Sequence, residues 1–151
     1  MKDTSTITCL VPRPGRFPTR QNTVIADVLA RLLSGERMTG LEAVNGSSTT
    51  RLASAVCSIQ TTHGWHISRS DVVVGCGDGR VTTISVYFLS PDAIERAAAA
   101  GAAAWCAKVR CARRALRAKA ADAKRRAARA NAGRRRQPHP GQYNLFDGGA
   151  A

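Results

Sequence analysis

The spacing of apolar residues changes once along the chain, from a helical period to the alternation of a β-strand. Between residues 20 and 62 apolar side chains recur three and four positions apart, as in amphipathic helices. Between residues 65 and 89 apolar and polar side chains alternate, and the glycine-rich segment 75–79 divides this stretch in two. The pattern therefore predicts several short helices followed by a β-hairpin.

Capping and turn residues set the limits of the first two predicted helices. The first is expected over residues 20–34, and Gly35 is expected to end it by adopting a left-handed backbone conformation. The second begins at Thr39, because the Thr39 hydroxyl and the Glu42 carboxylate are spaced for a capping box. The pair Asn45-Gly46 is typical of a turn and is expected to end this helix.

The third helix is expected to begin at a cap within residues 47–50 and to end near Thr62. Its inner face is expected to consist of Leu52, Val56 and Ile59, which are apolar and lie three or four positions apart. The two strands of the hairpin are expected over residues 65–74 and 80–89.

The composition changes at Ser90-Pro91, from β-branched residues to alanine and arginine. Serine is a good N-cap and proline is tolerated in the first turn, so a long Ala/Arg-rich helix is expected to begin here. It is expected to run to about Ala132, with Gly101 as its weak point. The expected organisation is a disordered arm, a domain, a basic helix and a flexible tail, over residues 1–18, 19–90, 91–132 and 133–151.

The net charge of +13, from 23 Lys and Arg against 10 Asp and Glu, indicates a polyanionic partner. Fourteen of the cations lie between Arg96 and Arg136, where Asp122 is the one acidic residue. Nucleic acid is the first expectation, and an acidic membrane surface is the second. No apolar run reaches the roughly 18 residues of a membrane span, and no secretory signal is recognised. We therefore expect a cytoplasmic protein without a membrane segment.

Several short segments occur together in a characteristic order and spacing. They are Gln21-Asn22, LARLLSG at 29–35, MTGLEA at 38–43, RLASAV at 51–56, Gly64-Trp65 and YFLSPDAI at 87–94. Together they resemble a small winged helix-turn-helix domain that is common in bacteriophage and prophage proteins, over residues 20–94. The resemblance implies an α+β fold of three helices plus a β-hairpin, and binding of double-stranded DNA, as in transcription regulation. It also implies the cytoplasm of a bacterial or phage-infected host cell.

In a helix-turn-helix, the third helix lays the outer face of its N-terminal part in the major groove. The residues expected on that face are Thr49, Thr50, Arg51, Ser54 and Ser58. Among them, Arg51 is the one able to bind a guanine edge through two hydrogen bonds. A polar helix face that is only solvated is the alternative interpretation.

Contacts to the DNA backbone are expected from the hairpin, which forms the wing, and from the basic helix. The candidate residues are Arg69 and Arg80 in the wing, and Lys108, Arg110, Arg113, Arg114 and Arg117 in the basic helix. A run of cations releases the counterions of a nucleic acid and binds it without reading its sequence. A solvated Arg/Ala helix and an amphipathic helix on a membrane surface are the alternatives.

Two further features leave other functions open. An apolar stripe in the basic helix is expected to pack on a partner helix or on the wing, and consists of Trp105, Val109, Ala112 and Leu116. The tail contains QYNLF, which resembles the bacterial sliding-clamp-binding pentapeptide, so Gln142, Leu145 and Phe146 are candidate clamp-binding residues. The alternatives to a DNA-binding protein are thus a clamp-bound replication adaptor and a protein–protein interaction module.

The sequence does not indicate catalysis or metal binding. The glycine-rich turn does not precede a helix, as a phosphate loop does, and no nucleophile elbow or pair of carboxylates occurs. The five cysteines lack a C-x-x-C spacing, and His63 and His66 lack paired ligands. We therefore expect no enzyme activity, no cofactor and no metal, whereas the oligomeric state and the choice between DNA and RNA stay open.

Overall fold

The computed structural model describes residues 15–136 as an α+β protein with helices and one antiparallel hairpin. The element order is α1 Val24–Leu33, α2 Gly40–Ser47, α3 Leu52–His63, β1 Ser68–Gly75, β2 Val81–Phe88, α4 Pro91–Ala99, α5 Ala102–Ala118 and α6 Ala120–Arg136. Three helices followed by a hairpin match the predicted order and are compatible with a winged helix. No helix within residues 15–136 is both long and apolar enough to cross a membrane.

Local capping explains where the first two helices begin. The Thr23 hydroxyl accepts a hydrogen bond from the Ala26 amide at 3.2 Å, so α1 begins at Val24 and not at residue 20. Thr39 and Glu42 form the predicted capping box, in which the Glu42 carboxylate accepts from the Thr39 amide at 2.6 Å. These caps satisfy amides that have no partner inside the helix.

The joint between α2 and α3 differs from the prediction. Helix α2 continues through Gly46 to Ser47, and the turn is made by Ser48, with a φ of 57°. A Cβ atom at position 46 would collide with the guanidinium of Arg31, so this glycine allows a close approach and does not end the helix. The N-cap of α3 is Arg51, one residue after the predicted caps, and its side chain forms no capping hydrogen bond.

The hairpin is joined to the rest of the fold by a short β-bridge. Strands β1 and β2 are antiparallel, with Ser68 opposite Phe88 and Gly75 opposite Val81. On the other side of β2, Met38 and Tyr87 exchange two backbone hydrogen bonds of 2.9 Å each. This bridge ties the segment between α1 and α2 to the hairpin, and such a connection is compatible with a winged helix.

The hydrophobic core extends beyond the predicted domain end at residue 90. Helix α1 lies at its centre, and Val28, Leu29 and Leu32 are fully buried. Trp105 and Val109 of α5 are buried in the same cluster. The chain accordingly divides after Arg114 into two units, of which the structure describes residues 15–114 and 115–136.

The predicted helix over residues 91–132 is interrupted twice. Ser90 caps α4 as predicted, through a hydrogen bond from the Ala93 amide to its hydroxyl. Gly101 then adopts a φ of 89°, in the left-handed region that glycine enters without strain, and ends the first segment. A second break follows at Lys119, between α5 and α6.

Residues 15–18, which were predicted to belong to a disordered arm, pack on the first unit. The ring of Phe17 lies 5.4 Å from that of Trp65 and 5.1 Å from that of Trp105. Each indole N–H donates to a backbone carbonyl of this segment, from Trp65 to Arg16 at 3.0 Å and from Trp105 to Pro18 at 3.2 Å. Buried indole groups need such acceptors, and the segment supplies them. The rest of the predicted arm lies outside the described residues.

Candidate nucleic-acid interface

The outer face of α3 presents polar groups to solvent. Leu52, Val56 and Ile59 are buried on the inner face, as predicted. Of the predicted outer residues, Thr50, Arg51 and Ser54 are exposed, whereas Thr49 and Ser58 are half-buried. The Thr49 hydroxyl accepts a hydrogen bond from the Arg51 amide at 3.1 Å, which shapes the entry into the helix.

Arg51 is the cation of this face. Its side chain is exposed, and within residues 15–136 it makes no hydrogen bond or ion pair. Helix α3 contains no aspartate or glutamate that would neutralise it. A guanidinium at the start of an exposed helix is therefore available to an external anion or a base edge.

The two arginines of the hairpin are neutralised by neighbouring carboxylates. The guanidinium of Arg69 lies 3.1 Å from Asp71, and that of Arg80 lies 2.6 Å from Asp78. The Ser85 hydroxyl and then Arg69 hold the pKa of Asp71 below its ordinary value. Arg80 holds the pKa of Asp78 below its ordinary value. The hairpin thus has no net charge to offer a phosphate backbone.

Arg113 does not belong to the exposed cations of α5. Its side chain is only 11% exposed, and its Nε atom lies 3.7 Å from Oδ1 of Asp27, which is itself buried. Its Nη2 atom also donates to the carbonyl of Ser47 at 3.2 Å. The predicted DNA-binding role of Arg113 conflicts with this position, because the fold already uses the charge internally. By contrast, Lys108, Arg110, Arg114 and Arg117 are exposed.

Arg113 and Arg31 together hold the end of α2. The Arg31 guanidinium donates to the carbonyl of Glu42 at 3.3 Å and to the hydroxyl of Ser47 at 3.5 Å. Ser47 is the last residue of α2, and cations are favourable at this end of a helix because its last carbonyls carry a partial negative charge, whereas Glu42 lies in its first turn. Both arginines thereby contact Ser47, directly before the turn from which α3 departs.

Sequence reasoning missed this cluster, although a signal was present. Asp27 interrupts the apolar run of α1, between Ala26 and Val28. A carboxylate on a buried face requires a partner, because its charge is costly to remove from water. The position of Asp27 therefore predicts a buried cation, but no local pattern identifies Arg113 as that cation.

The first three residues of the apolar stripe of α5 lie in the first unit, and Leu116 lies in the second. Trp105 and Val109 are buried, Ala112 is half-buried, and Leu116 is 40% exposed. Cys106, beside Trp105, donates its thiol to the Ala30 carbonyl at 3.8 Å, so this face packs on α1. Burial raises the pKa of the Cys106 thiol, and the nearby charge of Arg110 opposes that shift. Trp105 thus contacts Phe17 and Pro18, and its neighbour Cys106 contacts Ala30 of α1.

Helix α6 is an exposed cationic helix. It contains seven Lys and Arg residues and one acid, Asp122, which pairs with Arg125. None of its side chains described in the structure is buried. The described part of α6 buries no apolar face, so its positive charges are its main chemical feature.

Other predicted sites are not tested by this arrangement. Gln142, Leu145 and Phe146 lie outside the described residues, so clamp binding stays a prediction. Within residues 15–136, no group of three or more His, Cys, Asp or Glu side chains is placed to hold a metal ion.

The chain was compared with protein-family models, curated proteins and solved structures. No protein-family model matches the chain, and no curated protein or solved structure matches it either.

Proposed function

We propose that this chain is a DNA-binding protein of the winged helix-turn-helix type found in phages and prophages. Helix α3 enters the major groove of duplex DNA, and the cationic helices α5 and α6 bind the phosphate backbone. The observation that carries this proposal is the solvent face of α3, where Arg51 is exposed, unpaired within the described residues and not accompanied by any acid.

The position of Arg51 suits base recognition. In a helix-turn-helix the first residues of the recognition helix approach the base edges, and Arg51 is the N-cap residue of α3. Its guanidinium is able to donate two hydrogen bonds to the O6 and N7 atoms of guanine. The exposed hydroxyls of Thr50 and Ser54 contribute hydrogen bonds to bases or phosphates that discriminate less strongly.

The backbone component of binding comes from the C-terminal helices. Lys108, Arg110 and Arg114 are exposed on α5, and α6 adds its row of cations. Each phosphate that a cation neutralises releases a counterion, so affinity falls steeply as the salt concentration rises. The hairpin contributes little, because Asp71 and Asp78 neutralise its two arginines.

The test compares two single variants on DNA selected from random duplexes. Arg51→Ala should relax the sequence preference at one or two base pairs, a loss of about 1–3 kcal/mol in discrimination. The matched control, Arg114→Ala, should weaken binding to all sequences alike and lower the slope of affinity against salt by about 1. Binding is measured by fluorescence anisotropy at several salt concentrations.

Two results would contradict the proposal. Equal loss of affinity on every sequence for both variants would exclude base reading by α3. An affinity that does not change with salt would remove the electrostatic mechanism. A duplex RNA of the same sequence serves as the control for groove shape, because its deep, narrow major groove does not admit a helix.

A further inference from the structure

Strand β1 has an open outer edge within residues 15–136. It pairs with β2 on one side, and the described sheet contains no strand on the other. Tyr87 turns its backbone groups towards Met38, away from β1, and its partner across the ladder is Arg69. In an antiparallel ladder this pattern alternates, so the backbone groups of Arg69, Asp71 and Val73 point to the open edge.

The edge combines apolar exposure with backbone groups that need partners. Val72 is 42% exposed and Val73 is 66% exposed. An edge strand of this kind accepts a further strand, because each new backbone pair satisfies a donor and an acceptor. Charged residues on an edge normally discourage such pairing, so the arrangement of Arg69 and Asp71 decides which partner fits.

The charges of β1 are complementary to those of a second copy. Arg69 and Asp71 are two residues apart and therefore share one face of the strand. When two copies of β1 are antiparallel about a two-fold axis at Ser70, residue 69 of each copy lies opposite residue 71 of the other. Both of these residues present backbone groups to the open edge, so they form a hydrogen-bonded pair with opposite charges across it. An axis at Val72 would instead place each aspartate opposite a valine.

We propose that a second copy of this chain pairs with the outer edge of β1 in this register. The two hairpins then form one four-stranded antiparallel sheet, and two Arg69 and two Asp71 side chains alternate around the axis. The inference does not depend on DNA binding. If DNA binding is also correct, a two-fold symmetric DNA site is expected for the dimer, in accordance with the symmetry rule for such proteins.

The test exchanges the two charges and measures association by sedimentation velocity at physiological salt. The unmodified chain should dimerise between low and high micromolar concentration. Arg69→Asp alone and Asp71→Arg alone should each be monomeric over that range, because like charges then face each other across the axis. An equimolar mixture of the two variants should form a heterodimer, since both facing pairs become attractive. The double variant with both substitutions in one chain should dimerise like the unmodified chain.

Arg80→Asp is the matched control, because Arg80 is also an exposed arginine paired with a nearby aspartate, at the hairpin tip. It should not change dimerisation. Recovery in the mixture shows that each single variant is folded, so loss of structure cannot imitate the expected result. The proposal is overturned if the unmodified chain stays monomeric, if either single variant dimerises like the unmodified chain, or if the mixture stays monomeric.

Discussion

Arg113 and Arg114 are adjacent and chemically identical, yet the guanidinium group of one is internal and that of the other is exposed to solvent. One helical step rotates the side chain by about 100°, and this separates an interior position from a solvent position. Arg113 pairs with buried Asp27 and donates to the Ser47 carbonyl, whereas Arg114 is exposed. At the scale of single residues, the charge of a side chain therefore does not identify its partner.

We predict that Arg113→Ala lowers the free energy of unfolding by about 3 kcal/mol, because it leaves a buried carboxylate without its arginine. Arg114→Ala is the matched control and should change that free energy by less than about 0.5 kcal/mol. Chemical denaturation followed by circular dichroism measures both variants. Equal stability of the two variants would show that the Asp27 pair does not stabilise the fold.

At the scale of elements, a break in the backbone allows two alanine-rich helices, α4 and α5, to pack in one hydrophobic core. Ala97 of α4 and Trp105 of α5 are both buried, and Gly101 lies between them with a φ of 89°. A residue with a Cβ atom adopts this conformation only with strain. The glycine therefore permits the change of direction that places both helices on the core.

We predict opposite effects for two glycine substitutions that both project into open space. Gly101→Ala should destabilise the first unit by about 1 kcal/mol, because alanine is strained at positive φ. Gly133→Ala lies within α6 and should increase its helix content, since alanine favours a helix over glycine by roughly 1 kcal/mol. Thermal unfolding and circular dichroism distinguish them. Destabilisation by both substitutions, or by neither, would be inconsistent with the break at Gly101.

At the scale of the whole molecule, stability and charge are distributed differently over the two units. Residues 1–114 contain fourteen Lys and Arg against eight Asp and Glu, and residues 115–151 contain nine against two. All residues of the hydrophobic core that the structure describes lie in the first unit. The second unit therefore contributes charge density, and the first contributes a folded surface.

We predict that a chain ending after Arg114 unfolds cooperatively with nearly unchanged stability and binds DNA with a smaller dependence on salt. A chain ending after Ser90, at the predicted domain boundary, loses Trp105 and Val109 from the core and should not fold. Circular dichroism and anisotropy titrations measure both effects. A stably folded 1–90 fragment would show that α4 and α5 are dispensable for the core.

The features that sequence reasoning predicts correctly are local. The capping box of Thr39 and Glu42, the cap at Ser90 and the stop at Gly35 each depend on groups within four positions of one another. The inner face of α3 follows from the spacing of its apolar residues alone. At the two caps, the backbone amides that need partners and the side chains that supply them are neighbours in the chain.

The candidate site was only partly accessible to the same reasoning. The exposed position of Arg51 follows from the helical period, because its apolar neighbours define the opposite face. The neutralisation of Arg69 was missed, although strand alternation already places Asp71, two positions away, on the same face of β1.

The sequence by itself determined the caps, the periods and the order of the elements, because these depend on interactions between neighbours. Only the tertiary structure decided that residues 15–18 are packed, that the core includes α5 and that Arg113 is internal. The hydrogen bond from Trp105 to Pro18 spans 87 residues, and that from Arg113 to Ser47 spans 66. Burial and charge pairing at such separations depend on the whole fold, so no local pattern specifies the partner.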